Sequence, residues 1–496
     1  MNRPVGGGEN MKILLLNPYF SFDHTAYVFY RATIPYQLLY LSSYLKKHGI
    51  ESKIYELGVF DEKDCIKSED RIRCGISDYA INAILEKEQP DIVGISTSYT
   101  VFHQDYIDII KLVNKLNPFI RIIVGGNHAS VFPELMLEAG ADQVVVGEGE
   151  EAFLDIVRGN RESIVHKEFI QNLDDIPFPD YGSIDLKQYI DVGNPFTMRS
   201  PSIGIITSRG CPHNCIYCTA NGVWQRKWRA RSPENVIAEI KWLNETYGIG
   251  EFHILDDNVS VNRVRLMKIC DLIIEENLDI KWATPNGIAH WTLDYKLLNR
   301  MKEAGCYRIT LGIESGDRET RKFIGKPHSL AQAEWIITWA NRIGMWTMAT
   351  NIIGFPYETR EQISTTIQFA KDCGVDFATF FLLLPHPSSE VFKYFVKEGL
   401  FKSEDAMSAL NEGGCATLYF TKTQLNEFRV RAYKEFVGHK FKRYLLHPSI
   451  LLRKIRNWED LLYVIRVIKL GFGIKSRTGK AIKTSKDLIF ARRQYV

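Results

Sequence analysis

SIGIITSRGCPHNCIYC, Ser202–Cys218, is the stretch from which the chain is best read. Ser202–Ile206 is a short apolar run of the kind that forms a buried strand, and it ends in small polar residues and Gly210. Cys211, Cys215 and Cys218 follow in C-x3-C-x2-C spacing. Thiolates are the natural ligands of iron–sulfur clusters, and most clusters take four of them. No fourth cysteine lies nearby, so three ligands on one compact loop would leave one iron open, as a catalytic centre requires. The competing reading is a structural zinc site with His213 as fourth ligand. Zinc knuckles pair two C-x2-C halves, and the second half is missing.

Outward from this loop, residues 201–400 repeat a strand–helix pattern. Strand candidates are Ser202–Ser208, Glu251–Asp257, Ile280–Asn286, Tyr307–Ser315, Thr347–Phe355 and Phe377–Pro385. Six such units predict a partial (β/α)6 barrel of the TIM type, with its chemistry at the carboxyl ends of the strands. Residues 11–160 show a second alternation: Met11–Pro18, Ser52–Leu57, Asp91–Thr97, Arg121–Ser130 and Asp142–Glu150 are apolar runs that end in small polar residues. This predicts a Rossmann-like, doubly wound parallel sheet that binds ligands beyond its strand ends. Those ends carry Asn17, Ser96, Thr97, Ser98, Gly125, Gly126, Gly147, Glu148, Gly149 and Glu150. Residues 1–10 are expected to be a disordered leader, 161–200 a Pro- and Asp-rich linker, and 401–496 a basic helical C-terminal domain. The fold class is α/β.

The chain has 496 residues, enough for about three domains, and no apolar run long enough to span a bilayer. Its nine cysteines are odd in number and six are scattered, which is expected of a reduced, cytoplasmic protein. The net charge of +3 is uneven: residues 421–496 hold 19 Lys and Arg against 5 Asp and Glu, a net of +14, so the rest sums to −11. A basic tail on an acidic body calls for an anionic surface or partner. Either it lies in a membrane interface, which suits a lipid substrate and makes the chain membrane-associated, or it is a solvated cap on the barrel. No nucleic-acid module accompanies the charge, so no nucleic acid is expected. Ser232-Pro233-Glu234 reads as a helix start. Arg229 and Arg231 either face the substrate cavity or lie on a solvated face.

Across residues 200–390 the chain resembles the radical S-adenosylmethionine superfamily, whose cluster loop has this spacing with an aromatic residue before the third cysteine, here Tyr217. The resemblance implies a 4Fe–4S cluster on the three cysteines and S-adenosylmethionine chelated to the open iron. It implies reductive cleavage to a 5′-deoxyadenosyl radical and hydrogen abstraction from a substrate. It further implies a low-potential electron donor of ferredoxin or flavodoxin type. Strand-end motifs fit the same family. LDDN offers Asp256 or Asp257 to the methionine ammonium, against the alternative of a helix cap. GIESG offers Glu314 and Ser315 near the ribose and methionine groups, against a satisfied turn, and NIIGFPYET offers Gly354 beside adenine.

Residues 11–155 resemble the cobalamin-binding domain that precedes the radical core in one class of that superfamily, through LNP, GISTS, GGNHAS and VVGEGE. The implied cofactor is cobalamin, with its tail between the strands ending at Thr97 and Gly126. The D-x-H-x-x-G pattern is absent, so no protein histidine is expected on cobalt, and His128 is expected to be a loop or contact residue. The alternative is a vestigial domain without cobalamin. Together these resemblances imply radical methylation of an unactivated carbon in a small-molecule or lipid substrate. The rivals are a cyclase, oxidase or rearrangement enzyme of the same architecture acting on a lipid or tetrapyrrole, and a non-catalytic cobalamin or iron–sulfur sensor.

Overall fold

The structure is a computed structural model that describes residues 11–23, 33–61, 64–68, 71–190, 196–326, 328–401 and 415–479, with side chains as far as residue 468. The expected leader and residues 480–496 of the basic tail lie outside the described residues. The chain divides into two compact units, Met1–Tyr189 and Ile190–Val496.

In the first unit, β1 (Ile13–Asn17), β3 (Ser52–Glu56), β6 (Ile92–Ser96), β7 (Arg121–Gly125), β8 (Gln143–Val146) and β9 (Ile164–His166) form one sheet in the order β3-β1-β6-β7-β8-β9, every pair parallel. Parallel strands covered by helices on both faces are apolar on both sides, and Leu14, Leu15 and Leu16 of β1 are all buried. The helix His103–Leu116 packs Tyr106, Ile109, Ile110 and Val113 onto one face of that sheet. The strand order reverses about β1, so its carboxyl end and that of β6 flank a switch point, where α/β sheets bind ligands.

Three features depart from expectation. β2 (Phe20–Asp23), β4 (Ile66–Lys67) and β5 (Arg71–Cys74) make a small antiparallel sheet in the order β2-β5-β4. Its fold-back brings Cys65 and Cys74 to a Cα separation of 4.3 Å and pairs them in a disulfide, so these two scattered cysteines are not free thiols. The stretch expected to be linker carries β9, and the units divide at Tyr189, within that stretch. β9 is only three residues long, too short for a periodicity to mark it.

In the second unit, β10 (Ser202–Ile205), β13 (Glu251–Ile254), β14 (Lys281–Ile288), β15 (Cys306–Glu314), β16 (Trp346–Ile353) and β17 (Phe377–Leu382) follow one another in chain order and all run parallel. Consecutive parallel neighbours joined by helices wind into a partial barrel whose catalytic end is the carboxyl end of the strands. Two short strands, β11 (Ser208–Arg209) and β12 (Arg229–Ala230), pair antiparallel and close off the cysteine loop between them. The helix Pro233–Tyr247 starts as its sequence predicts, with Ser232 accepting from the Asn235 N–H and Pro233 in the first turn.

The described C-terminal helices belong to this second unit. Tyr463 and Val464 of the helix Trp458–Gly479 are buried against Met198, Ala283, Tyr307 and Trp346, at or next to the amino ends of the strands. The helix therefore stoppers the barrel at the end opposite the cysteines. Lys454 fastens it: its Nζ donates to Asp376 Oδ2 at 2.8 Å, Met345 O at 2.6 Å and Asn341 Oδ1 at 2.7 Å.

Candidate active site

The three cysteines sit at the carboxyl end of the second sheet on a loop that the backbone holds tightly. Gly210 opens it at φ +86°, and a Cβ there would lie 2.0 Å from Lys227 O, so only glycine fits. Its N–H donates to Asp257 Oδ2 at 3.0 Å. Ile216 N–H donates to Ile324 O, and Val391 N–H to Ile216 O, which ties the loop's middle to two other strand-end segments. Cys211, Cys215 and Cys218 are all free thiols. Burial lifts the pKa of each, and that of Cys218 to about 12, while the Lys326 ammonium opposes the rise at Cys215 and Cys211. Three desolvated thiols on one loop become thiolates only with a cation beside them, so the donor set fits a cationic cluster. Among the described residues no three His, Cys, Asp or Glu side chains converge on a single-ion point. A cube whose thiolates each take a different iron asks for no such convergence.

Beside the loop stands a charged group that spacing did not reveal. Lys326, half-buried, donates from Nζ to Glu314 Oε1 at 2.9 Å and to Gly312 O at 3.2 Å. Burial works against its charge, but Glu314 and the cluster thiols hold its pKa above the ordinary lysine value. Glu314 adopts φ +63°, a costly conformation for a residue with a side chain, and also accepts from Thr350 Oγ1. The Tyr217 ring lies 5.7 Å from Lys326 Nζ, and its hydroxyl bonds to Glu314. Lys326, Glu314 and Tyr217 thus form one cluster beside the cysteines. The lysine lies twelve residues beyond its carboxylate, past a helix, and no local pattern points to it.

The two aspartates of LDDN separate. Asp256 is buried and accepts from Thr207 N–H, Thr207 Oγ1 and Ser208 Oγ at 2.5–2.6 Å, which uses both oxygens to tie β13 to the segment after β10. Asp257 is exposed, accepts from the Gly210 N–H, and has its pKa raised by desolvation, while its charge helps raise those of Cys211 and Cys218. Ser315 is not presented to the mouth: its Oγ pairs with Thr366 Oγ1 at 3.0 Å and accepts from Asp317 N–H, as a strand-end turn. Gly354 takes φ +100°, and its N–H donates to the buried Glu358, whose pKa burial raises to about 8. Arg229 and Arg231 are buried, neither on a solvated face. Arg231 pairs with Glu239 and donates to Ile206 O, bracing the strand that leads to the cysteines.

In the first unit, register sets Ser96 beside Gly125 and Gly125 beside Val145, a strip of small residues across adjacent strand ends. Gln37, which sequence reasoning missed, accepts from both Ser96 and Ser98 at 2.7–2.8 Å. Thr97 is buried, donating to Gly125 O and accepting from Ala129 N–H. Gly126 takes φ +115°, and a Cβ there would meet the Thr97 backbone at 2.8 Å, so the position requires glycine. Asn17 donates to Glu56 at 2.6 Å. Gly147 takes φ +88° and its N–H donates to Ser130, Glu148 holds the Ile170 N–H, and Glu150 is buried, whereas Gly149 opens onto free space. His128 is also not at a ligand surface: it is fully buried among Tyr106, Phe132 and His103. Serine and glycine side by side at the carboxyl ends of β6 and β7, next to the switch point, suit a flat ligand, and the residues present fit cobalamin on that ground.

Sequence comparison agrees with this geometry. The profile of the radical SAM superfamily matches residues 205–370, and that of the B12 binding domain matches residues 27–157. An uncharacterised methyltransferase of Pyrococcus horikoshii is 32% identical over 76% of this chain and 83% of its own length. The cytidylyl-2-hydroxyethylphosphonate methyltransferase of Streptomyces wedmorensis is 30% identical over 80% of this chain and 84% of its own. Among solved structures, the cobalamin-dependent S-adenosylmethionine radical enzyme OxsB shares the fold at a TM-score of 0.64 and 16% identity, covering 97% of this chain and 74% of that one. With its strand-end cysteine loop on a partial barrel, its doubly wound first unit and these relatives, the chain belongs to the radical SAM superfamily, as a cobalamin-dependent enzyme of that family.

Proposed function

We propose that the chain methylates an unactivated carbon of a small-molecule substrate. The observation that carries this is the similarity, over most of both chains, to two methyltransferases that span both units. When bound, the cluster and its sulfonium cofactor supply a carbon radical, and cobalamin supplies the methyl group.

The chain's own residues have four tasks. Cys211, Cys215 and Cys218 hold the cluster, with Cys215 buried and the other two partly so. Asp257 faces the cofactor's ammonium, since Asp256 has spent its oxygens on Thr207 and Ser208. Glu314 accepts from ribose hydroxyls, and Lys326 holds that carboxylate in place. Gly354, just beyond β16, is the backbone position offered to adenine. In the first unit, Asn17, Ser96, Ser98, Gly125 and Gly149 form the strand-end surface offered to cobalamin. Two partner assignments go with this reading: a low-potential ferredoxin- or flavodoxin-type donor, and peripheral membrane contact through the basic C-terminal region.

The test is product accounting. Anaerobically reconstituted protein should release S-adenosylhomocysteine and 5′-deoxyadenosine in equal amounts with a methylated product. Release of 5′-deoxyadenosine alone, with a cyclised or oxidised product, would overturn methyl transfer and leave the radical chemistry standing.

A further inference from the structure

The stopper helix Trp458–Gly479 has a second apolar face that the barrel does not use. Asp460, Tyr463 and Val464 are buried against the barrel. Trp458, Leu462 and Ile465 recur at i, i+4 and i+7, which puts them on one stripe, and all three are exposed. The two helices before it add more: Leu445 and Leu446, at the carboxyl end of the helix Lys422–Leu446, are 83% and 62% exposed, and Leu452, at the end of the short helix Ser449–Leu452, is 65% exposed. Large aliphatic side chains exposed to that degree and grouped within one helical cap form a patch, not scattered surface residues.

Charge identifies what covers it. Lys442, His447, Arg453 and Arg456 are exposed around the same cap. From Arg466 to Val496 the sequence holds nine Lys and Arg and a single acidic residue, Asp487, a net of +8. A second copy of the chain would bring like charge against like charge. A bilayer with anionic headgroups satisfies both features, because apolar side chains enter the acyl boundary while basic groups meet phosphates. Tryptophan favours that boundary, with an apolar ring and one N–H donor. No helix among the described residues is long and apolar enough to cross a membrane, so the contact is interfacial.

We infer that the cap formed by Leu445, Leu446, Leu452, Trp458, Leu462 and Ile465, with its basic rim, docks on an anionic phospholipid surface. This rests on, and specifies, the membrane contact proposed above. Trp458, Leu462 and Ile465 of this surface belong to the helix that closes the amino ends of the strands, away from Cys211–Cys218, so docking localises the enzyme and leaves the catalytic mouth unblocked.

Flotation of the anaerobically purified full chain tests it, and needs no turnover. The chain should float with vesicles of phosphatidylcholine mixed with phosphatidylglycerol, stay down with phosphatidylcholine alone, and release as salt rises. Trp458→Ser with Leu462→Gln, and separately Leu445→Gln with Leu446→Gln, should each cut the floated fraction roughly tenfold while keeping iron content and circular dichroism. The inference is overturned if the parent chain does not float with anionic vesicles. It is equally overturned if both variants float as well as the parent, or if light scattering shows that the variants lose a dimer and not lipid binding.

Discussion

Lys454→Met tests how the stopper is held. The Lys454–Asp376 pair is fully desolvated, with side-chain exposures of 0% and 1%. Burial pushes the lysine's pKa below its ordinary value, so the charge is retained only through its three acceptors and the Trp346 ring 4.8 Å away. Methionine fills the same space but leaves Asp376 with only Thr347 and Tyr444 as donors. Breaking one side of a buried pair costs about 3–5 kcal/mol, mostly through the charge left behind. At roughly 2 °C per kcal/mol for a unit of this size, the loss is about 6–10 °C in Tm. Adding Asp376→Asn removes the stranded charge while keeping an acceptor for Thr347, and should recover at least about 2 kcal/mol. Anaerobic thermal unfolding at a fixed scan rate, followed by circular dichroism, measures both. A drop below about 2 °C for the single variant, or a double variant less stable than the single, would show that the pair does not hold the helix as described.

Four further outcomes follow from the same geometry. Cys211→Ala should lose most of its iron and all S-adenosylmethionine cleavage, by iron assay and 5′-deoxyadenosine release; full iron with intact cleavage would remove the basis of the site. Gly210→Ala forces a Cβ into Lys227 O at a positive φ, and should give a folded barrel with little reconstituted cluster absorbance. Lys326→Met should keep the cluster by electron paramagnetic resonance yet weaken S-adenosylmethionine binding about tenfold or more, because Glu314 loses its cation. Desolvation raises the pKa of the half-buried Glu56 from 4.5 to about 7, with Asn17, the Gly58 N–H and Tyr189 partly opposing the rise. Because the folded state holds that proton more tightly, stability is full below the ordinary value and falls as pH rises through about 7. Glu56→Gln should flatten that part of the unfolding-midpoint profile, and an unchanged slope would assign it elsewhere.

Much of the site was legible in the order of residues, because it depends on neighbours along the chain. C-x3-C-x2-C puts three thiols on one loop whatever surrounds them, and Gly210 beside them needs a left-handed turn. The alternation of apolar strands with helices dictates parallel sheets, since only crossovers can join parallel neighbours. The short strands escaped because three residues of β9 carry no period. His128 and Ser315 lay in motifs that suggested ligands, but burial turned one into the core and the other into a turn.

What tertiary structure alone decided is which distant groups meet. Lys326 reaches Glu314, Gln37 joins Ser96 to Ser98, Cys65 meets Cys74, and Lys454 finds Asp376. The sequence by itself determined the ligand loop, the two α/β units and the basic end of the chain, through covalent spacing and local periodicity. Partners brought together only by packing, and the protonation states that depend on them, follow from desolvation and charge in three dimensions, and these have no local signature in the chain.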